Sequence, residues 1–425
     1  MQPKSSCPTW IGYTGDYISE EDIINVARKH ALKNALDYGT AKAGPVISKV
    51  FAEIPDSKKD RAKTAELVNS IVEWVNGLSR SEVELEVSKY TFPEKKQREG
   101  LPDLQWVTAG MHVNTRFAPN PSGFLHIGHA KVAILCDEYA KKYSGKFYVR
   151  LEDTDPKTKK PILKAYTSIV EDVEWLGCNI AEVIKQSDRM ELYYSYAEKL
   201  IESGMAYVCT CDKETMHSNR LNGIECECRS LDAKENMERW KKMMSSYKEG
   251  EAVLRLKTDM SHSNVSVRDW VMFRIIDEEH PLTKDKYRVW PLYNFAAAID
   301  DHELGINLVI RGKEHEINQM KQEYVFKDFG WEKPHILEVG VLKVKGEMAH
   351  KSDIRRAIAE GRLSGWDDPR APTIMGFRNR GIKPEAIRKY VIGSGIGKND
   401  SYLDMQKLSA IGRALEHHPK EDVEA

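Results

Sequence analysis

The sequence predicts an α/β protein built on a doubly wound parallel sheet, with helical segments before and after it. Three observations carry this reading. A strand–helix–strand unit runs from "VNTRFAP" through "GHAKVAILCDEYAKKY" to "KFYVRLEDTDP", the building block of a parallel sheet. The same grammar returns in "RVWPLYNFAAAIDDHELGINLVIRGKEH". Between the two, residues from about 205 to 285 read as an insertion, with clustered cysteines and a Lys/Glu-rich helix.

The elements follow in order. Residues 19 to 100 read as a helical module. "SEED" at Ser19–Asp22 offers a Ser N-cap with acids in the first turn, and Ile23, Ala27, Ala31 and Ala35 then recur at helical spacing. Leu67, Val68, Ile71, Val72 and Val75 predict a further helix ending near Gly77. "YTFPEKKQREGLPDLQ", with its prolines and dense charge, reads as a linker. In "KFYVRL", Phe147, Val149 and Leu151 alternate against Tyr148 and Arg150, which predicts a strand. Beyond about 345 the chain becomes basic and turn-rich, then helical.

Length and composition bound the function classes. At 425 residues, two to four domains are expected. Charged residues at 30% and apolar residues at 41% suit a soluble globular chain. No apolar run approaches membrane-spanning length and "MQPKSSCPTW" lacks the apolar core of a signal peptide, so no membrane partner and a cytoplasmic location are expected. A net charge of -1 neither announces nor forbids nucleic acid.

The densest chemistry lies in "TRFAPNPSGFLHIGHAKVAIL", Thr115 to Leu135. Open α/β sheets bind ligands outside the carboxyl ends of their strands, and this stretch lies at one such end. The helix start offers unpaired N–H groups and a partial positive charge, an anion site. His126 and His129 share the face of its first turn, and Gly128 between them admits a close ligand. The pattern suits a triphosphate, with two imidazoles reaching oxygens on which charge builds. Arg116, a planar guanidinium ten residues earlier, is the natural partner of a carboxylate.

A second constellation is "YVCTCDKETMHSNRLNGIECECRS". Cys209, Cys211, Cys226 and Cys228 form two close pairs, expected to hold a structural Zn²⁺ tetrahedrally, with no position left for substrate. His217 reads as solvated, and Cys7, Cys136 and Cys178 as incidental.

"HIGH" following "RFAPNPSGFL" closely resembles the signature of class I aminoacyl-tRNA synthetases, specifically the glutamyl/glutaminyl group, and "SGWDDPRAPT" resembles the same group. The segment "KHALKNALDYGTAKAGPVISKVFAEIPDSK" resembles the N-terminal extension of the archaeal-type glutamyl enzymes. The resemblance implies a Rossmann-like catalytic domain with an inserted zinc-bearing domain that binds the tRNA acceptor end. It implies that Arg116 holds the substrate's side-chain carboxylate, that Glu152 in "RLEDTDP" binds the α-amino group, and that Tyr293 and Arg311 line the amino-acid pocket. Ala297 stands where some relatives place a polar pocket residue. ATP would meet His126, Gly128 and His129, and also Lys351 and Ser352 of "MAHKS". That stretch matches the family's pyrophosphate-clamping loop only in its last two places; Met348 replaces a lysine and His350 a serine.

The implied reaction has two steps, both relying on positioning and charge stabilisation rather than a covalent nucleophile. Glutamate's α-carboxylate attacks the α-phosphorus of ATP and releases pyrophosphate; the terminal adenosine hydroxyl of tRNA then takes the glutamyl group. His126, His129 and Lys351 would carry the catalysis, and Mg²⁺ is expected with ATP. Glutaminyl specificity is the alternative among enzymes, an inactive synthetase-like tRNA-binding protein the alternative of another class, and charging of tRNA(Gln) stays open. The expected domains are 1–104, a helical extension; 105–204 and 286–344, the catalytic halves; 205–285, the insertion; and 345–425, the "MAHKS" loop and a helical stem-contacting segment. Relatives continue into anticodon-binding β-barrels, and the chain is expected to stop before them.

Overall fold

The structure is a computed structural model that describes residues 19–92, 100–344 and 351–417, with Lys351 and His417 in backbone only. The chain divides into two compact units, residues 1–96 and 97–425.

In the first unit the helices are α1 (Glu20–Tyr38), α2 (Ala43–Glu53), α3 (Arg61–Asn76) and α4 (Arg80–Val87). The start of α1 is set by Ser19, whose hydroxyl accepts from the Asp22 N–H while the Asp22 carboxylate accepts from the Ser19 N–H, a reciprocal cap. Ile23, Ala27, Ala31 and Ala35 are buried at the expected spacing and pack with Val68, Val72 and Val75 of α3. Gly77 ends α3.

The second unit holds the parallel sheet. Its strands are β1 (Thr115–Phe117), β2 (Phe147–Leu151), β3 (Glu182–Lys185), β8 (Leu308–Gly312) and β9 (His335–Val339), in the order β3-β2-β1-β8-β9. All four pairings are parallel. The connections are α5 (Ile127–Lys142) after β1, α6 (Leu163–Trp175) after β2 and α11 (Glu316–Asp328) after β8. The chain winds outward one way from β1 to β3 and the other way from β8 to β9. The ends of β1 and β8 therefore form the point where winding reverses, which is where such sheets take ligands. The predicted strand at 147–151 is β2, and all five of its residues are buried, as in a parallel sheet covered on both faces. Arg150 in β2 is fully buried as well.

The insertion has its own antiparallel sheet, β4 (Ala206–Cys209), β5 (Val253–Leu256), β6 (Val271–Ile275) and β7 (Val289–Pro291), with α7 (Met190–Glu202), α8 (Lys213–Asn222) and α9 (Ala233–Ser245) around it. β7 pairs with β6 through Ile275↔Val289, so the inserted sheet runs past the expected boundary at 285. Only two residues after β7, α10 (Tyr293–Glu303) returns the chain to the catalytic core. The loop between β6 and β7 is tied to the catalytic half by buried His280, whose Nε2–H donates to the Asp153 carbonyl at 3.0 Å. Its Nδ1 accepts from the Leu282 and Thr283 N–H groups.

The boundary expected at 104 also moves, because Leu101 is buried in the catalytic core and Leu104 packs against it. After β9 come β10 (Leu342–Lys343), α12 (Lys351–Ala359), α13 (Ile374–Asn379), α14 (Pro384–Ser394), β11 (Ser401–Tyr402) and α15 (Met405–His417). β10 and β11 pair in parallel, and Ile374, Phe377, Ile387 and Val391 join the same core as α5.

Candidate active site

α5 starts where it does because Leu125, Ile127, Ala130 and Ile134 are all buried while the residue before its first turn can cap it. That residue is His126, in extended backbone. Its Nδ1 accepts from the Gly128 N–H at 3.1 Å, and its own N–H donates to Nδ1 of His129 at 3.2 Å. A backbone N–H can only donate, so both Nδ1 atoms are acceptors and each neutral ring carries its proton on Nε2. The rings lie against each other, centroids 3.8 Å apart and planes tilted by 30°. The loop ahead of the helix is pinned by the C-terminal segment, where the Ile374 N–H donates to the Leu125 carbonyl. A Cβ on residue 128 would sit 3.0 Å from His126 Cε1 and 3.1 Å from the Leu342 carbonyl oxygen. Glycine is thus needed first for the imidazole pair and the neighbouring strand.

A cavity of about 920 Å³ opens at the reversal point of the sheet. Arg116, His126, Gly128, His129, Glu152, Tyr293 and Arg311 all line it, so the structure brings these expected residues together. Ser352 is exposed at the start of α12 and outside the lining. Met348 and His350 lie outside the described residues, as does the Lys351 side chain. Ala297 is buried in α10 and does not line the cavity.

Arg116, in the middle of β1, donates from Nε to Asp301 Oδ1 at 3.1 Å and from Nη2 to Oδ2 at 3.5 Å. Arg150 donates to the same Oδ1 at 2.6 Å and from Nη2 to Glu152 Oε1 at 3.0 Å. Asp300 accepts from Gln186, Arg189 and Tyr193, each at 2.8 Å. Burial pushes the Asp301 carboxyl up, but Arg116 and Arg150 hold it below its ordinary value. For Glu152 burial prevails over Arg150 and Arg116, and its pKa is raised. The Tyr293 hydroxyl is raised by burial and by the charge of Glu152, so it stays protonated.

Arg311 is different. It is 5% exposed and donates only to the neutral carbonyls of Gln322 and Gln319, each at 3.2 Å. Its Nε has no partner, and among the described residues it forms no ion pair. Gln322 is held in turn by Asn294, and Asn294 by Asn318. His315, also on the wall, has its pKa lowered chiefly by burial and is neutral at pH 7. A buried cation without a counterion favours an anionic guest.

Sequence reasoning missed Arg150 and Asp301. The available signal was the arginine itself, since a charge inside a two-sided parallel strand requires a carboxylate, and "IDD" at the end of α10 supplies it.

The four cysteine sulfurs lie within 4.8 Å of one another, with Cys209 and Cys226 at 3.9 Å. Four thiolates about 2.3 Å from a tetrahedral Zn²⁺ lie about 3.8 Å apart, so the donor set fits that ion. Buried Arg255 donates from Nη1 to Cys209 at 3.6 Å and Cys226 at 3.8 Å, and Arg239 to Cys228 at 3.6 Å, which offsets thiolate charge. His217 is exposed on α8. Cys136 and Cys178 are buried, each thiol pushed up by burial to about 12.

Residues 112–414 match the family described as tRNA synthetases class I (E and Q), catalytic domain. The chain is 48% identical over 404 residues to a glutamate–tRNA ligase of Pyrococcus horikoshii, covering 93% of this chain and 70% of that protein. It is 43% identical over 403 residues to the enzyme of the same name from Methanopyrus kandleri, at 94% and 70% coverage. A crystal structure of a glutamate tRNA ligase from Elizabethkingia meningosepticum in complex with its amino acid shares the fold, with a TM-score of 0.53, 22% identity and coverage of 72% and 70%. With its sheet, its "HIGH" helix start and these relatives, the chain belongs to the class I aminoacyl-tRNA synthetases, in the archaeal-type glutamate–tRNA ligase family.

Proposed function

We propose that the chain ligates glutamate to tRNA(Glu), with ATP, through a glutamyl-adenylate. The observation that carries the choice of amino acid is the pair of buried guanidiniums on the cavity wall, Arg116 and Arg311, the second without an ion-pair partner among the described residues. Glutamate brings two carboxylates, one to be held while the other reacts. Arg116 takes the side-chain carboxylate and Arg311 lies beside the α-carboxylate; Glu152, fixed by Arg150, takes the ammonium. A glutamine amide would leave the cationic wall one negative charge short. Electrostatics therefore supports glutamate over glutamine.

For the first step, the α-carboxylate attacks the α-phosphorus and the charge spreads over phosphate oxygens. The Nε2–H groups of His126 and His129 donate to those oxygens at the helix start, where the dipole adds to them. Lys351 and Ser352 would face the departing pyrophosphate. The inserted domain receives the tRNA acceptor arm, its Cys209, Cys211, Cys226 and Cys228 holding Zn²⁺ as a structural tie. Mg²⁺ would arrive on the triphosphate. Arg220, Trp270 and Arg274 of the insertion line the cavity, which supports a role for them in meeting the incoming 3′ end. A cytoplasmic location is part of the same proposal.

The test is ATP–pyrophosphate exchange with glutamate, with and without tRNA, run beside glutamine. Exchange with glutamate, and charging of tRNA(Glu) by glutamate but not glutamine, is expected; a tRNA(Gln) arm reads whether that tRNA is charged as well. No exchange in either condition from folded protein refutes the proposal.

A further inference from the structure

We infer that Asp301 is the positioning residue that sets Arg116 for the substrate's side-chain carboxylate, and through it separates glutamate from glutamine. The inference rests on the glutamate reading above. Arg116 and Asp301 lie 185 residues apart in sequence, yet both are buried and in contact. Asp301 takes two of the three nitrogens of the guanidinium, Nε and Nη2. The third, Nη1, has no protein partner among the described residues, and Arg116 lines the cavity. A guanidinium held along one edge cannot rotate about its long side chain, so its remaining donors stay at one place.

Asp301 cannot swing either. Its Oδ1 also accepts from Arg150, which is fully buried in β2 and fixed at its other end to Glu152. With Asp300, which also pairs with Arg150, and its partner Arg189, the six groups balance, three cations against three anions, before a substrate enters. Arg116 therefore meets the ligand as a fixed donor rather than a mobile charge. A carboxylate can accept from a fixed donor in either orientation. A glutamine amide must keep its NH₂ away from it, and a rigid donor gives that NH₂ no escape.

Neighbouring Asp300 is an internal control. It is equally buried, but its hydrogen-bond partners are Gln186, Tyr193 and Arg189, none of them a group assigned to the substrate, and it meets the Arg116 network only through a 3.8 Å ion pair with Arg150 Nε. The experiment uses the full chain with tRNA, and wild-type glutamate-dependent exchange is measured first; its absence would fail the functional reading rather than this one. Asp301→Asn is expected to raise the glutamate KM at least about tenfold and to cut the glutamate-over-glutamine ratio of kcat/KM by a similar factor, with the ATP KM within about twofold. Asp300→Asn should leave the glutamate KM within about threefold. An unchanged glutamate KM in Asp301→Asn, or an equal rise in both variants, overturns the inference. If Asp301→Asn does not fold, the double variant with Arg116→Gln removes both charges. It should match Arg116→Gln alone in glutamate KM within about threefold, and a further tenfold loss overturns the inference.

Discussion

Replacing His126 by asparagine separates two roles that its geometry combines. The imidazole caps α5 through Nδ1, accepting from the Gly128 N–H at 3.1 Å, and carries a proton on Nε2 beside the cavity. Asparagine places an oxygen on the same Cγ and is among the best N-caps, so the cap survives, whereas alanine would cost about 1 kcal/mol. What asparagine loses structurally is the tilted ring contact with His129, centroids 3.8 Å apart, about 0.5–1.5 kcal/mol for a ring pair. In a unit spanning residues 97–425 that is a melting shift of about 1–2 °C, from an unfolding entropy of about 2.1 cal/mol/K per residue. The functional loss should be far larger: deleting one preorganised donor to developing charge costs about 2.7–4 kcal/mol, or about 10²–10³ in kcat. Glutamate-dependent exchange and a thermal melt on the same preparation are the measurements. The expected result is a loss of at least about 100-fold in kcat, a glutamate KM within about threefold and a small melting shift. Exchange within about threefold of wild type would show that His126 only caps the helix.

Metal analysis under reducing conditions should find about one zinc per chain, and Cys226→Ser should remove it; absence of stoichiometric metal from the wild type rejects the four-thiolate site. The Asp172 carboxyl is pushed up by burial to about 7, with Arg378 opposing and Glu171 adding, and its Oδ2 has no partner. Its folded pKa lies above the unfolded value near 3.9, so its contribution is intact below about pH 4 and is lost as pH rises toward 7. Asp172→Asn should therefore match wild type in melting temperature at pH 4 and exceed it increasingly by pH 7–8; a constant difference across that range would refute the assignment.

Much of this molecule could be read locally. The capping pair Ser19–Asp22, the apolar stripe of α1 and the strand–turn–helix around "HIGH" each declare themselves within a dozen residues. What could not be read depends on distance. Arg150 meets Asp301 across 151 residues, and no period or spacing encodes such a pairing. β7 is three residues long, too short for its alternation to say which sheet it joins, so the insertion was expected to close too early. Leu101 looked like linker because its neighbours are prolines and charges, though its own side chain is core.

The pairing of β1 with β8 also dictates an order of assembly. Asn114 bonds to Asn307, 193 residues later, so the middle strand of the sheet must wait for its second neighbour during synthesis. At about 5–20 residues per second that wait is roughly 10–40 s on the ribosome. Over this interval β1 can pair with β2 alone, and its other edge stays open to wrong partners. The antiparallel sheet of the insertion, made of nearer contacts, can close in the meantime. Arg311 and Asp301 both emerge late, so the cavity is the last part of the catalytic unit to gain its charges and cannot bind glutamate before the whole sheet is in place.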